Sequence, residues 1–345
     1  MLGESRSQIA QEGFPQTLIR PSLNKAGGKA RPAQESTSRV TLDLGGKLIF
    51  FAMVGALHVL SLLPDFVLYR LGRAGGWLGY LLDRRHVCIG LRNLEFAFPE
   101  KSSSERKRIL RASYVNLGLS AAEYVRLGGF FYRRLQQRVT YSRFEYWAKM
   151  NRRYPGKGAV ILTAHFGNFE LLPAAHALHG YPITLVHHTQ RFLAGDALMT
   201  YVRERAGVKV IRKHTAARAV LKSLKEGELV GIPFDQNAKR SEAVFAPFFG
   251  VPAATSSGLA RLVAIAEVPV VPVFLLRQRN WRQHRIEIFD EIPIQRTDDA
   301  RADIEENTVR FSRAIENLVR RHPTQFLWIH RRYRTRPRGM PPAYD

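Results

Sequence analysis

Residues 159–172 have the sequence Ala159-Val-Ile-Leu-Thr-Ala-His165-Phe-Gly-Asn-Phe-Glu170-Leu-Leu. The first five are aliphatic or β-branched and follow two nearby glycines, a pattern typical of a buried strand. A Gly-Asn pair then interrupts the pattern, and a helical apolar pattern continues until Gly180. The sequence therefore predicts that His165 and Glu170 lie where an interior strand gives way to a helix.

This placement favours chemistry between the two side chains. A tight loop after a strand can fold the carboxylate of Glu170 back toward the imidazole of His165, and ligands of open α/β sheets bind beyond the carboxyl ends of the strands. An imidazole oriented by a carboxylate can take a proton from an alcohol that attacks a carbonyl. No serine or cysteine nucleophile stands beside the pair, which favours direct transfer. The alternative is that neither residue is catalytic. His165 is then a polar residue at the end of a strand, and Glu170 is a carboxylate in the first turn of a helix, where the helix dipole favours negative charge.

Further motifs follow in the C-terminal half. They are Phe234-Asp-Gln-Asn237, Pro247-Phe-Phe-Gly250, Pro252-Ala-Ala-Thr255 and Pro323-Thr-Gln-Phe-Leu-Trp-Ile-His330-Arg-Arg332. In order and spacing, these motifs and the His165 motif resemble the lipid A biosynthesis acyltransferase family, and in particular its lauroyl and myristoyl transferases, within the lysophospholipid acyltransferase-like superfamily. The resemblance covers roughly residues 44–337.

The resemblance implies an O-acyltransferase with His165 as general base and Glu170 as its partner. The acyl group would pass from an acyl carrier protein thioester to a hydroxyl of a lipid A precursor or related glycolipid, without a covalent intermediate. We expect no metal and no cofactor beyond this thioester co-substrate. An acyl-CoA-dependent acyltransferase acting on another glycolipid or phospholipid has the same motifs and remains an alternative.

Substrate contacts are predicted around this pair, beginning with Gly167 and Asn168 in the loop. Asp235, Gln236 and Asn237 follow an apolar strand, where they either hold an acceptor head group or simply form a turn. Members of the family usually carry an arginine and an Asn-Pro pair after the second strand, which this chain lacks. His188 or Arg191 is expected to substitute there.

The remaining predicted contacts lie farther along the chain. Phe248 and Phe249 wall an acyl slot or belong to the core. Thr255 or Ser256 caps the next helix, whose free amides then meet a phosphate or an oxyanion. Arginine forks match phosphate and carboxylate oxygens, so the lipid or the carrier is expected at three consecutive residues: His330, Arg331 and Arg332.

Composition narrows the classes of partner. The chain has 345 residues and 45% hydrophobic composition, which is enough for a large core, and the single Cys88 excludes a disulfide framework within the chain. The formal net charge of +24 indicates anionic partners: an acidic carrier protein, an anionic membrane surface or nucleic acid. Because the basic residues are spread along the chain without a recognisable module, we expect no nucleic acid. A non-catalytic basic membrane or nucleic-acid binding protein is the second alternative.

We predict four segments: a disordered basic and polar tail (1–43), a membrane-associating helix (44–69), the acyltransferase domain (70–337) and a tail (338–345). The apolar run 48–63 is shorter than the roughly 20 residues that span a bilayer, so a short span, an interfacial helix and a core helix all remain open. The resemblance implies a membrane anchor here, at the cytoplasmic face of a bacterial inner membrane.

Strand-like and helix-like segments alternate after residue 158. This alternation predicts an α/β fold with a mixed, largely parallel central sheet flanked by helices, and with an N-terminal apolar membrane-associating helix. A helical pattern is also predicted from about residue 105 to 128, with Ser102 or Ser103 as its cap and Glu123 on its surface.

Overall fold

A computed structural model of the chain describes residues 41–187, 189–212 and 216–344. The helices are α1 (Leu44–Leu60), α2 (Asp65–Leu82), α3 (Arg84–Ala97), α4 (Ser103–Gly128), α5 (Tyr146–Arg153), α6 (Leu171–Leu178), α7 (Leu193–Arg205), α8 (Ala216–Lys225), α9 (Gly258–Ala266) and α10 (Ala300–Arg321). The strands are β1 (Val139–Tyr141), β2 (Ala159–Thr163), β3 (Ile183–His187), β4 (Lys209–Arg212), β5 (Leu229–Pro233), β6 (Ala243–Phe248), β7 (Val251–Ser256), β8 (Val270–Arg277) and β9 (His284–Ile288).

The central sheet has the strand order β1-β9-β8-β2-β5-β3-β4. Only the β8–β9 pair is antiparallel among the described strands of this sheet. Every residue of β2 is buried, because helices cover both faces of the sheet, and this explains its continuous apolar sequence. The predicted mixed, largely parallel sheet is confirmed, and β2 lies between β8 and β5 with its carboxyl end beside theirs.

The N-terminal apolar region forms two helices rather than the single predicted helix over 44–69. Pro64 lacks the amide hydrogen that a continuing helix needs, and the chain turns between Ser61 and Pro64 before α2 begins at Asp65. Helix α2 then runs past the predicted boundary at residue 69. Within the described ranges, none of the helices is long and apolar enough to cross a membrane.

Helices α2 and α4 pack closely through glycines. A Cβ atom on Gly118 would lie 2.1 Å from the backbone oxygen of Gly72, so the two helix backbones approach as only glycine allows. Gly76 makes a similar approach, because a Cβ atom there would lie 2.4 Å from the backbone oxygen of Tyr114. Helix α4 begins with a complete capping box between Ser102 and Glu105, which confirms the predicted start.

Strands β6 and β7 form a separate antiparallel hairpin that the sequence analysis missed. Phe249 and Gly250 both have positive φ (54° and 77°), which suits the tight two-residue turn between Phe248 and Val251. Phe248 and Phe249 are buried against Phe326 and Trp328. Both residues therefore belong to the aromatic core, which is the alternative interpretation, and their role as the wall of an acyl slot stays a prediction.

The structure describes the predicted C-terminal tail but little of the predicted N-terminal tail. Residues 1–40, most of the predicted N-terminal tail, lie outside the described residues. The C-terminal segment packs on the domain: Ala343 is buried, and the Tyr344 hydroxyl donates to Asn93 and accepts from the Tyr333 amide. The domain thus extends past the predicted boundary at residue 337.

Candidate active site

His165 lies just beyond the carboxyl end of β2 and is paired with Asp235, just beyond the end of β5. The imidazole Nδ1 donates to Asp235 Oδ1 at 2.9 Å, and the backbone amide of His165 donates to the same oxygen at 3.1 Å. Since β2 and β5 are adjacent parallel strands, residues that follow them meet at one edge of the sheet. Asp235 was predicted as a substrate contact, but it occupies the position predicted for Glu170.

The Asp235 carboxylate sets the protonation of the imidazole. It holds the proton on Nδ1 and leaves Nε2 as the acceptor, 3.3 Å from the side-chain amide nitrogen of Gln236. Burial alone would lower the pKa of His165, but the charge and hydrogen bond of Asp235, aided by Glu170, raise it above its ordinary value. Burial opposes ionisation of Asp235, yet its bonds to His165 keep its pKa below the usual range. In this pair, Asp235 is therefore ionised, and His165 is a stronger base than an ordinary histidine.

Glu170 holds an arginine instead of the imidazole. Its two carboxylate oxygens accept from Nε and Nη2 of Arg203 on α7, at 2.9 and 2.6 Å. The prediction that Glu170 is the hydrogen-bond partner of His165 is therefore wrong, because Arg203 binds both of its oxygens and Asp235 binds Nδ1. Burial opposes the charge of Arg203, but Glu170 raises its pKa above the ordinary value. Glu170 affects His165 through its charge alone.

The arginine continues into a second buried network at the end of β3. Arg203 Nη1 donates to His187 Nδ1 at 2.8 Å, and His187 Nε2 lies 2.6 Å from Asp196 Oδ1. Because a guanidinium can only donate, His187 must carry its proton on Nε2 and donate to Asp196. Arg212 on β4 binds the other oxygen of Asp196 at 3.0 Å. His187 was not among the predicted site residues, although its place at a strand end next to His188 was a signal.

The polar groups of Gly167 and Asn168, in the loop between His165 and Glu170, form hydrogen bonds with other parts of the protein. Gly167 has φ +60°, its amide donates to Gln325 O, and its oxygen accepts from Asn116. Asn168 is buried; its amide nitrogen donates to Glu123, and its oxygen accepts from the Leu171 amide at the start of α6. Both residues therefore shape the loop, and the prediction that they contact substrate is not supported by their bonding.

Glu123 anchors that loop from α4. It is 1% exposed and accepts hydrogen bonds from four side chains: Tyr69, Asn168, Arg277 and His284. Burial opposes ionisation, but His284 and Arg277 lower the pKa of Glu123 well below its usual range, so it is a carboxylate. The surface position predicted for Glu123 is wrong, because it lies at the centre of a buried ionic cluster.

The motifs after β5 and α10 form a scaffold for the Asp235 loop. Arg332 is 3% exposed and donates to Ala254 O, Thr255 Oγ1 and Gln236 O. Thr255 lies in β7, and α9 begins only at Gly258, so of the two predicted caps Thr255 is wrong, whereas the Ser256 hydroxyl accepts from the Gly258 amide at 3.2 Å. A phosphate clamp at Arg332 is likewise wrong, since its guanidinium binds the protein.

His330 and Asn237 complete this scaffold. His330 Nε2 accepts from the Asn237 amide at 3.0 Å, and the Asn237 side chain exchanges hydrogen bonds with Thr335. Burial lowers the pKa of His330 to about 4, so it is neutral at physiological pH. Arg331 lies over the Tyr344 ring, and the guanidinium of Arg191 stands on an exposed turn.

Of the other predicted contacts, Gln236 is exposed beside His165 Nε2 and is placed to meet a substrate. Arg191 and Arg331 stay predictions. His188 lies outside the described residues.

Comparison with known proteins identifies the family of the chain. The family described as bacterial lipid A biosynthesis acyltransferase matches residues 38–335. The chain is 28% identical to the lipid A biosynthesis lauroyltransferase of Escherichia coli, over 84% of this chain and 93% of that protein. It is 27% identical to the palmitoleoyltransferase of the same organism (84% and 92%) and 26% identical to its myristoyltransferase (83% and 87%). The chain therefore belongs to the bacterial lipid A biosynthesis acyltransferase family and is an acyltransferase.

Proposed function

We propose that this acyltransferase moves a fatty acyl group from an acyl carrier protein thioester to a hydroxyl of a lipid A precursor, with His165 as general base and Asp235 as its orienting carboxylate. The observation that carries the proposal is the His165–Asp235 hydrogen bond at the carboxyl edge of β2 and β5, which leaves Nε2 as an acceptor. The names of the relatives support lipid A as the acceptor.

The reaction follows from this geometry. The acceptor hydroxyl replaces the Gln236 amide at His165 Nε2 and gives up its proton there while its oxygen attacks the thioester carbon. The C–S bond then breaks, and the imidazolium returns the proton to the leaving thiolate. Asp235 stabilises the imidazolium during the step. Neither a serine nor a cysteine is needed, so no acyl-enzyme forms.

Gln236 is the best-placed donor for the oxyanion. Its side chain is exposed, and its amide nitrogen lies 3.3 Å from the atom that receives the proton. Arg203 is unsuitable, because Glu170 and His187 already bind its guanidinium. A donor that is already aimed at the atom where negative charge develops contributes substantially to the rate.

A membrane location fits the N-terminal surface. Helices α1 and α2 expose large apolar side chains over their whole length: Leu44, Leu48, Ile49, Phe51, Val59, Leu60, Phe66, Leu71, Trp77, Leu78, Leu81 and Leu82. A patch of this kind on a chain of strong positive charge suits the interface of an anionic membrane. We assign the enzyme to the cytoplasmic face of a bacterial inner membrane, where acyl carrier protein is available.

The test is acyl transfer by the purified full chain in detergent, with products identified by mass spectrometry. His165→Ala should lower the turnover rate by about 10²- to 10⁴-fold and keep the circular dichroism spectrum of the wild type. His86→Ala, at a half-exposed histidine on α3, is the matched control and should keep full activity. Near-normal transfer by His165→Ala would refute the mechanism. Supplying carrier-protein and coenzyme A thioesters separately identifies the donor.

A further inference from the structure

A large cavity lies beside the catalytic loop, and its wall is basic. It encloses about 1190 Å³ between α2, α4, the end of β8 and the segment that follows α10. Ligand pockets commonly have volumes of about 300–1000 Å³, so a head group of substantial size fits. The wall includes six exposed arginines: Arg70, Arg73, Arg108, Arg111, Arg279 and Arg285.

Five of these six arginines form no salt bridge with the described residues of the protein. Among the described residues, no aspartate or glutamate lines the cavity, and only Arg285 of the six forms a salt bridge, with Glu287. The buried Arg277 at the cavity floor is different, because Glu123 takes up its charge. Five guanidinium groups around one concavity repel each other unless an anion joins them. This arrangement differs from a solvated basic face, in which charges of both signs alternate.

The edge of the cavity is apolar. Trp77 lines the cavity and is half exposed on α2, next to the exposed Leu78 and Leu81. Across the cavity, Trp281 stacks under the guanidinium of Arg73 at 4.4 Å. Tryptophan beside arginine at the border of an apolar surface is typical of groups that lie at the head-group level of a membrane. A ligand with an anionic head and acyl chains matches both surfaces, whereas nucleic acid or an acidic protein matches only the basic one.

The cavity shares a wall with the catalytic loop. Asn116 lines the cavity and donates to Gly167 O, and Gln325 lines it while its backbone oxygen accepts from the Gly167 amide. The cavity opens at the end of β8, the strand that adjoins β2. A head group bound there therefore lies on the same edge of the sheet as His165.

We infer that this cavity binds the phosphate monoester of a lipid, and that it holds the head group of the acceptor while an acyl hydroxyl reaches His165. The assignment to the acceptor rests on the proposed function. A monoester carries up to two negative charges at neutral pH, so it suits five unpaired guanidinium groups better than a singly charged diester does.

The test is binding of the full chain to phosphatidylcholine vesicles that contain phosphatidic acid, measured by flotation. Arg73→Gln combined with Arg111→Gln should lower the affinity about tenfold or more, since each basic residue at an anionic surface contributes roughly a factor of five. Arg108→Gln combined with Arg279→Gln should do the same and guards against a folding defect in the first pair. Arg152→Gln combined with Arg313→Gln removes equal charge from exposed sites on α5 and α10 and is the matched control.

An equal loss in the control pair, or equal binding to vesicles with phosphatidylglycerol at the same charge, would overturn the monoester site. If inorganic phosphate raises the midpoint of thermal unfolding as much as the phosphatidic acid vesicles do, the ligand is free phosphate and the inference that it is a lipid is wrong. If the arginine pairs lose binding to acyl carrier protein and retain vesicle binding, the cavity is a protein site and the inference is wrong. His165→Ala should bind the vesicles as the wild type does, so a failed mechanism and a failed binding site give different results.

Discussion

His165 and Asp235 are 70 residues apart in the chain, yet Nδ1 of the imidazole lies 2.9 Å from Oδ1 of the carboxylate. The contact exists because β2 and β5 pair in parallel and end at the same edge of the sheet. Asp235 also accepts from the His165 amide, so one carboxylate orients both the ring and the backbone that carries it.

The first prediction separates the roles of the two carboxylates near His165. Asp235→Asn should lower the turnover rate by about 10²- to 10⁴-fold, because its amide oxygen can still accept from Nδ1 and from the His165 amide but the neutral group no longer stabilises the imidazolium that forms. Glu170→Gln should lower the rate far less, since Glu170 binds Arg203 and affects His165 only through its charge. Steady-state kinetics of both variants measure the difference. A larger loss in Glu170→Gln than in Asp235→Asn would reverse the assignment.

The second prediction concerns pH. A general base acts only when unprotonated, and Asp235 raises the pKa of His165 in spite of its burial. The acidic limb of kcat/KM for wild type should therefore lie above the ordinary histidine value of about 6.5. Removing the carboxylate in Asp235→Ala removes the main stabilisation of the imidazolium, so the residual activity should show this limb at lower pH. A limb that stays in place in Asp235→Ala would assign the titration to another group.

The third prediction tests the buried cluster at Glu123. Glu123→Ala leaves the guanidinium of Arg277 buried without its carboxylate, which should lower the free energy of unfolding by about 3–5 kcal/mol. The control is Glu95→Ala, which breaks a half-exposed pair with Arg92 and should cost less than about 1 kcal/mol. Urea denaturation of the full chain measures both. Equal losses would show that the cluster adds nothing beyond a surface pair.

The fourth prediction concerns the turn after His165. Gly167→Ala puts a methyl group at φ +60° and only 1.8 Å from Leu275 O, so strain and overlap together should cost about 2–5 kcal/mol. Gly156 also has positive φ, but nothing lies within 4 Å of the added methyl group, and Gly156→Ala should cost about 1–2 kcal/mol. Thermal unfolding compares the two. A cost for Gly167→Ala no greater than that for Gly156→Ala would mean that the loop relaxes freely.

The sequence predicts much of the local structure around the site. Strand β2, the break after His165, the helix ending at Gly180 and the position of Asp235 after a strand all follow from local patterns of apolar residues and glycines. The hydrogen-bond partner of His165 cannot be predicted from these patterns, because they show where the strands are and not which strands are neighbours in the sheet. Nearness in the chain favours Glu170, whereas the strand order brings Asp235 into contact with His165.

Two other errors have similar causes. The surface position predicted for Glu123 rests on the rule that a carboxylate on a helix faces water. The rule fails here because several donors from distant parts of the chain converge on this one buried group. Arg332 looks like a ligand for phosphate, but its partners are backbone oxygens contributed by two other segments. In both cases the compensating group comes from a part of the chain that the local sequence does not specify.

The turn between α1 and α2 is fastened to α4, because Arg126 binds Ser61 O, Leu63 O and Asp65. One turn earlier on the same helix, Glu123 holds Asn168 in the loop that carries His165. The turn that precedes α2 and the catalytic loop are therefore held by two residues that lie one turn apart on α4. Under the proposed membrane location, the depth at which the exposed apolar side chains of α1 and α2 insert would then fix the height of His165 relative to the bilayer, and so the acceptor hydroxyl that it reaches.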